Sequence, residues 1–327
     1  MTADKSMRDF EDAARRQCPG INCVVVSRQR EVVYSHCFKR QVSHDTPAEI
    51  YSITKSVLSV VAGIAAHQRC LPPLETTLAE VLSTSTYQPQ LVQQAKQRQS
   101  QTAHPGAPAI GKYASALSLH QLLSMTSGIA WPHNNYGLEP LLGRVTQSRD
   151  WVEQLLKLPI SPSLAGQFGY NTGLSHLLSC AISSVVKEPV DKFAARHLFT
   201  PLGINEYQWP RDPQNYSFGG WGLHLSANAL LRLGELCIND GVYHGTQLLP
   251  RQWLQDSFFA HTPDYGYHWW LDTWRGTTLI VAKGLGGQLL YLVPEKDAVI
   301  VVTVSQRRRV PTQTLAKQYL LPLIYNG

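Results

Sequence analysis

Strand-forming sequence sits at both ends of this chain and helix-forming sequence fills its middle, an arrangement that limits the fold more than any single motif. Residues 22–38, Asn-Cys-Val-Val-Val-Ser-Arg-Gln-Arg-Glu-Val-Val-Tyr-Ser-His-Cys-Phe, hold two β-branched runs around a polar turn and predict a hairpin. Strand character returns only after Tyr265, in residues 267–271, 277–281, 288–293 and 298–303, with turn residues between them. Apolar residues recur at helical spacing near 117–126, 150–157, 174–186, 190–198 and 226–238, and further helices are expected at 6–17 and 311–324. The economical assembly is one sheet shared by both chain ends. The expected fold is therefore α/β of the α+β kind: an antiparallel sheet flanked by terminal helices, with an inserted all-helical domain. Residues 1–70 and 216–327 would form the sheet domain and 71–215 the helical domain. Within the latter, 84–116 is rich in Gln, Ser, Ala and Pro and reads as a surface excursion with little structure of its own.

Composition excludes several function classes. A chain of 327 residues buries roughly three quarters of its unfolded surface, enough for one large or two closely packed domains. No stretch of the roughly 18 residues needed to span a bilayer is both uncharged and apolar throughout, and the charged start lacks the apolar segment of a secretory signal. A soluble, cytoplasmic protein with no membrane partner is expected. The six cysteines (Cys18, Cys23, Cys37, Cys70, Cys180, Cys237) show no CxxC or CxxH spacing and are expected to be free thiols. The twelve histidines form no HExxH pair, so neither a metal nor another cofactor is expected. The formal charge is +6, yet the basic residues are scattered except for Arg307 to Arg309, expected to be a solvated loop or strand end; nucleic acid is not an expected partner. Self-association stays open.

Chemistry enters at Ser52-Ile53-Thr54-Lys55, a serine and a lysine one helical turn apart at the head of the apolar run Val57, Leu58, Val60, Val61, Ile64. On a helix such positions share a face, so hydroxyl and amine can meet. Ser184-Val185-Val186-Lys187 has the same spacing, but it closes a helix just before Glu188-Pro189, where the dipole opposes developing negative charge. Ser52 instead follows an extended segment, 47–51, and falls near a helix N-terminus, where free N–H groups favour an oxyanion. The plainer alternative is a serine that merely caps the helix.

Two further clusters accompany the pair. Tyr170-Asn171-Thr172 is held between glycines and a new helix, and Gly284-Leu285-Gly286-Gly287-Gln288 joins two strands with glycines that let a substrate approach the backbone. Taken in order, these motifs resemble the serine β-lactamase and penicillin-binding-protein-like superfamily, nearest its class C and 6-aminohexanoate-oligomer-hydrolase branch. Ser52-x-x-Lys55 matches the first motif and Tyr170-Asn171-Thr172 resembles the Tyr-x-Asn/Ser motif. Flanking stretches around Ser127-Gly128, Gly219 to Ser226 and Tyr265 to Trp270 agree, so the similarity runs over roughly residues 20–305. The family's Lys-Thr-Gly is absent, replaced by the glycine-rich turn. Strand alternation should point Ala282 and Gly284 to the site and Lys283 away.

The resemblance implies a β-lactamase/transpeptidase-like fold and a serine hydrolase of small esters or amides. Ser52 would be the nucleophile, with Lys55 as base and Tyr170 as the acid that shares its proton. The backbone N–H groups of Ser52 and Leu285 would form the oxyanion hole, and Asn171, Thr172, Gly284 and Gly286 would line the substrate. A D-amino-acid peptidase or weak β-lactamase is the alternative within enzymes. A scaffold that has lost its chemistry is the alternative of a different class. Trp269 and Trp270 are expected to pack the core, with one of them free by alternation to face the pocket.

Overall fold

The computed structural model describes residues 3–83, 113–134, 138–305 and 310–326. Most of the Gln-rich excursion (84–112) and the Arg307 to Arg309 run lie outside the described residues.

Six strands form one antiparallel sheet in the order β2-β1-β10-β9-β8-β7. They are β1 (Ile21–Arg28), β2 (Glu31–Cys37), β7 (Trp270–Trp274), β8 (Thr277–Gly284), β9 (Gln288–Val293) and β10 (Ala298–Val304). The first strand pairs with the last, from Ile21 opposite Val304 to Arg28 opposite Ala298. Sheet alternation then divides the core in two. On one face Val24, Val26, Val281, Tyr291 and Ile300 pack against Phe10 of α1 (Ala3–Gln17) and against Leu315, Leu320 and Ile324 of the C-terminal helical run, which begins as Thr312–Leu315. On the other, Val25, Ile280, Ala282, Leu290 and Val299 meet the larger helical core.

That core is organised around α2 (Ile53–His67), in which the residues from Ile53 through Ala65 are buried. A helix buried on all sides is a central one, and each of Val57, Leu58, Val60, Val61 and Ile64 contributes about 2 kcal/mol on leaving water. Gly63 makes room for a neighbour, since a Cβ there would stand 2.5 Å from the Trp253 ring. Around α2 lie α3 (Leu78–Ser83), α4 (Leu119–Ser124), α5 (Pro140–Thr146), α6 (Trp151–Leu156), α7 (Thr172–Val186), α8 (Val190–Ala194), α9 (Ala227–Ile238) and α10 (Arg251–Ser257). Two short strands, β3 (Ala48–Glu49) and β4 (His224–Leu225), pair just before α2, and Ile50 N–H donates to Leu223 O at 2.9 Å. This brace aims the chain into Ser52. A small hairpin, β5 (Val242–Tyr243) with β6 (Thr246–Gln247), completes the strands. Among the described residues no helix is long and apolar enough to cross a membrane.

Two expectations fail. The strand expected over 267–271 begins only at Trp270, because His268 takes a left-handed backbone (φ +62) and Gly266 N–H turns back to Trp269 O. The expectation of six free thiols fails as well. Cys23 and Cys37 stand directly opposite each other on β1 and β2 with Cα atoms 4.2 Å apart, the narrow kind of antiparallel pair, and are joined by a disulfide. No spacing rule marks such a pair, because strand register brings the two together. Cys18, Cys70, Cys180 and Cys237 are free, and burial raises the Cys18 thiol to about 11 and the Cys180 thiol well above its ordinary value.

Candidate active site

Ser52 does not cap its helix. Its backbone is already helical (φ −70, ψ −5) and its hydroxyl makes no capping bond, so the oxygen stays available to its neighbour. Tyr51, immediately before it, is held at φ +48, a conformation that costs a non-glycine residue about 1–3 kcal/mol. The nucleophile candidate thus sits on a strained corner between the β3–β4 brace and α2, half-buried and reachable.

Lys55 is 2% exposed, and its ammonium donates three hydrogen bonds: to Ser52 Oγ at 3.1 Å, to Thr172 Oγ1 at 3.0 Å and to Gly220 O at 3.0 Å. Burying a cation is costly unless every donor is met, and here all three are. The acceptors differ in kind. Gly220 offers a carbonyl, which only accepts. Thr172 has its own proton engaged, because its hydroxyl donates to Glu139 Oε1 at 2.5 Å while its N–H donates to Glu139 Oε2 at 2.9 Å. Among the described residues, Ser52 is the one partner of the three whose proton has no other engagement.

One wall of the site is aromatic. The Lys55 ammonium stands 4.8 Å from the centroid of the Tyr170 ring, so it meets the ring face, and the Tyr170 hydroxyl makes no hydrogen bond to it. Tyr170 stacks on Trp270 at 5.6 Å and 26°, and the Lys283 ammonium lies 4.8 Å over the Trp270 ring. Lys283 leaves β8 on the face away from α2, as alternation requires, yet reaches the sheet edge beside this stack. Trp269 is fully buried against Phe258, so Trp270 is the member of the pair that faces the site. Tyr265 meets Tyr170 edge-on at 6.3 Å, and burial keeps its phenol well above the ordinary value, protonated.

The glycine turn closes the opposite side. A Cβ on Gly284 would stand 2.4 Å from Ile50 O, so the end of β8 lies against the chain two residues before Ser52. That close approach brings Leu285 beside the entrance of α2. Gly286, at φ +80, is buried and turns the chain back into β9. Asn171 caps α7: its Oδ1 accepts from the N–H groups of Gly173 and Leu174. Capping presents Thr172, the next residue, to Lys55.

His268 supports the same helix from behind. Its Nδ1 lies 3.1 Å from Lys55 O, so that nitrogen carries the proton, and Nε2 then accepts from Ser175 Oγ at 3.4 Å. Its own carbonyl accepts from Ser56 Oγ at 2.8 Å. Burial first, and next the Lys55 charge, lower this imidazole to about 3, so it stays neutral. The rival Ser184 turns its hydroxyl back to Cys180 O at 2.8 Å, and Lys187 is an exposed left-handed cap. The sequence carried no signal for Glu139, which belongs to no motif; Gly220 and His268 lie in flanking stretches quoted above but showed no role. Among the described residues, Cys23, Cys37 and His44 place ligand-type atoms within 4.8 Å of one another, but the two sulfurs are bonded to each other.

A model of the beta-lactamase family matches residues 7–322. No curated protein matches the sequence. Among solved structures, a putative 6-aminohexanoate-dimer hydrolase from Bacillus anthracis superposes with a TM-score of 0.74 at 18% identity, covering 97% of this chain and 81% of its own. A beta-lactamase/D-alanine carboxypeptidase from Pseudomonas syringae gives 0.69 at 15%, covering 98% of each chain. EstCE1, described as a hydrolase with promiscuous acyltransferase activity, gives 0.67 at 15%, covering 99% of this chain and 97% of its own. At these identities the likeness is one of fold, and the family match spans nearly the whole sequence: the chain belongs to the beta-lactamase family.

Proposed function

We propose that the protein is a serine hydrolase that forms an acyl-enzyme on Ser52 and acts on a small ester or amide. The observation that carries this is the direction of the hydrogen bonds at Lys55. As a neutral amine, Lys55 keeps two N–H donors and gains one lone pair. Gly220 O and the engaged Thr172 hydroxyl take the two donors, which leaves the lone pair facing Ser52. The Ser52 proton then passes to Lys55 Nζ as Oγ attacks the carbonyl carbon, forming the C–O bond and moving an electron pair onto the carbonyl oxygen.

That oxyanion rests between the N–H groups of Ser52 and Leu285, donors of a kind worth about 3–4 kcal/mol each. On collapse the leaving group departs with a proton supplied by the Tyr170 hydroxyl, and the Lys55 proton returns to that oxygen through solvent, because the ammonium meets the Tyr170 ring and not its hydroxyl. Water, activated by the same pair, later releases the acyl group. Asn171 acts through the fold, by presenting Thr172, while Gly284 and Gly286 let substrate lie along the backbone. The Cys23–Cys37 disulfide is of a kind that persists in oxidising compartments and counts against a cytoplasmic setting.

A second reading has one observation in its favour. The Lys283 ammonium beside the Trp270–Tyr170 stack is a basic group at the edge of the site, and a substrate with a carboxylate, such as a D-amino-acid peptide or a β-lactam, would find it there. Intact mass after a fluorophosphonate or a p-nitrophenyl ester tests the first reading: an adduct on wild type, absent from Ser52→Ala and from Lys55→Ala, is expected. Equal labelling of Ser52→Ala would overturn it. Faster turnover of a chromogenic β-lactam than of the ester would favour the second.

A further inference from the structure

Glu139 stands outside every motif, on the residue before Pro140 at the head of α5. Its carboxylate accepts from Trp131 Nε1 at 2.5 Å, from Thr172 N at 2.9 Å and from Thr172 Oγ1 at 2.5 Å. We infer that Glu139 is a positioning residue: by holding the Thr172 proton, it fixes the direction in which Lys55 presents its lone pair. This rests on the reading of Lys55 as the base for Ser52.

The inference follows from counting donors. A threonine hydroxyl has one proton and can rotate it; an ionised carboxylate can only accept. With Glu139 in place, the Thr172 proton points to Oε1 and the Thr172 oxygen must accept from Lys55. Without that carboxylate, the Thr172 O–H is free to turn and donate into the lone pair of the neutral amine. In that arrangement Lys55 gives its two N–H donors to Gly220 O and Ser52 Oγ, and the Ser52 proton has no base. The buried site offers no water-rich alternative to either arrangement, since Lys55, Thr172 and Asn171 are all nearly inaccessible. Glu139 thus removes the unproductive arrangement without touching Ser52 or the reacting carbonyl. Its charge also lies one hydroxyl away from a buried cation, where an opposite charge offsets desolvation.

The test is the second-order rate of fluorophosphonate labelling of Ser52, read by intact mass, with thermal melts to confirm folding. Glu139→Gln is expected to label ten- to a hundredfold more slowly than wild type. Thr172→Ser, which keeps a hydroxyl for Glu139 to hold, is expected to label faster than Thr172→Val. In the Thr172→Val background there is no proton to hold, so adding Glu139→Gln should change the rate by less than about threefold. Trp131→Phe removes another bond to the same carboxylate, and wild-type labelling is expected. Wild-type rates for Glu139→Gln would overturn the inference, as would an equal loss in the Thr172→Val background, which is what a purely structural role would give. Those outcomes leave the acyl-enzyme reading standing, because wild type and Lys55→Ala test it separately; absence of label on wild-type Ser52 overturns both.

Discussion

Gly220 offers its carbonyl oxygen to Lys55 Nζ at 3.0 Å, while a Cβ on the same residue would stand 3.1 Å from that nitrogen and 2.7 Å from Thr172 Cγ2. The lysine therefore needs this backbone and has no room for a side chain on it. Gly220→Ala must shift the segment and withdraw an acceptor from a buried cation, a loss of about 1–3 kcal/mol. Labelling of Ser52 is expected to slow by roughly tenfold or more. Wild-type labelling of a folded Gly220→Ala protein would show that the carbonyl is dispensable.

Tyr170 separates ring from hydroxyl. Its ring faces Lys55 and stacks on Trp270, and Tyr170→Phe keeps both contacts. The melting temperature should stay unchanged while ester turnover falls about a hundredfold, the usual worth of a positioned acid. Tyr170→Ala should lower both. Unchanged turnover in Tyr170→Phe would assign the residue to the wall alone.

Acid stability is linked to His268. Its imidazole titrates at about 3 in the folded protein and at about 6.5 in an unfolded chain. Between those values the unfolded chain binds more protons, so stability rises with pH. The contribution is fully present above about 6.5 and is lost as pH falls toward 3, at about 1.4 kcal/mol per pH unit, or roughly 2 kcal/mol by pH 5. His268→Asn keeps a donor for Lys55 O and tolerates the left-handed backbone. Urea melts of this variant at pH 7.5 and pH 5.0 should show a smaller acid loss than wild type, and an equal loss would count against the linkage.

The Cys23–Cys37 disulfide joins residues 14 apart in sequence. Closing a loop of that size stabilises by about 3 kcal/mol when the strands do not strain it. Reduction by a dithiol, or Cys23→Ser with Cys37→Ser, is expected to lower the melting temperature by several degrees. Free-thiol counting on the denatured, unreduced protein should give Cys18, Cys70, Cys180 and Cys237; six titratable thiols would contradict the pairing.

Local pattern made much of this molecule legible. The β1–β2 hairpin, the three strands from 277 onward and the buried run after Ser52 all announce themselves as apolar runs bounded by turn residues, because β1, β9 and β10 are covered on both faces and α2 on all sides. Ser52 could be told from Ser184 by its place on a helix, and the structure places Lys55 beside the former alone. What escaped is what depends on three-dimensional encounter. Cys23 meets Cys37 through strand register, Glu139 meets Thr172 across 33 positions, and His268 meets Lys55 across 213. No local spacing encodes such distances. The Tyr267–Trp269 stretch read as strand because its aromatics suit a sheet, but it turns instead to put His268 beneath Lys55.

The pairing of β1 with β10 also fixes when the site can exist during synthesis. Cys23 and Val25 are made early, yet the strand that completes their side of the sheet ends at Val304. A nascent chain on the ribosome therefore carries Ser52 and Lys55 through nearly all of translation without the sheet that backs α2. Contacts so distant in sequence form slowly, because a long loop must close before they contribute. The apolar α2 run stays exposed during that interval, so demand for a chaperone should peak before residue 304 emerges, and chains stopped short of β10 should aggregate rather than show partial activity.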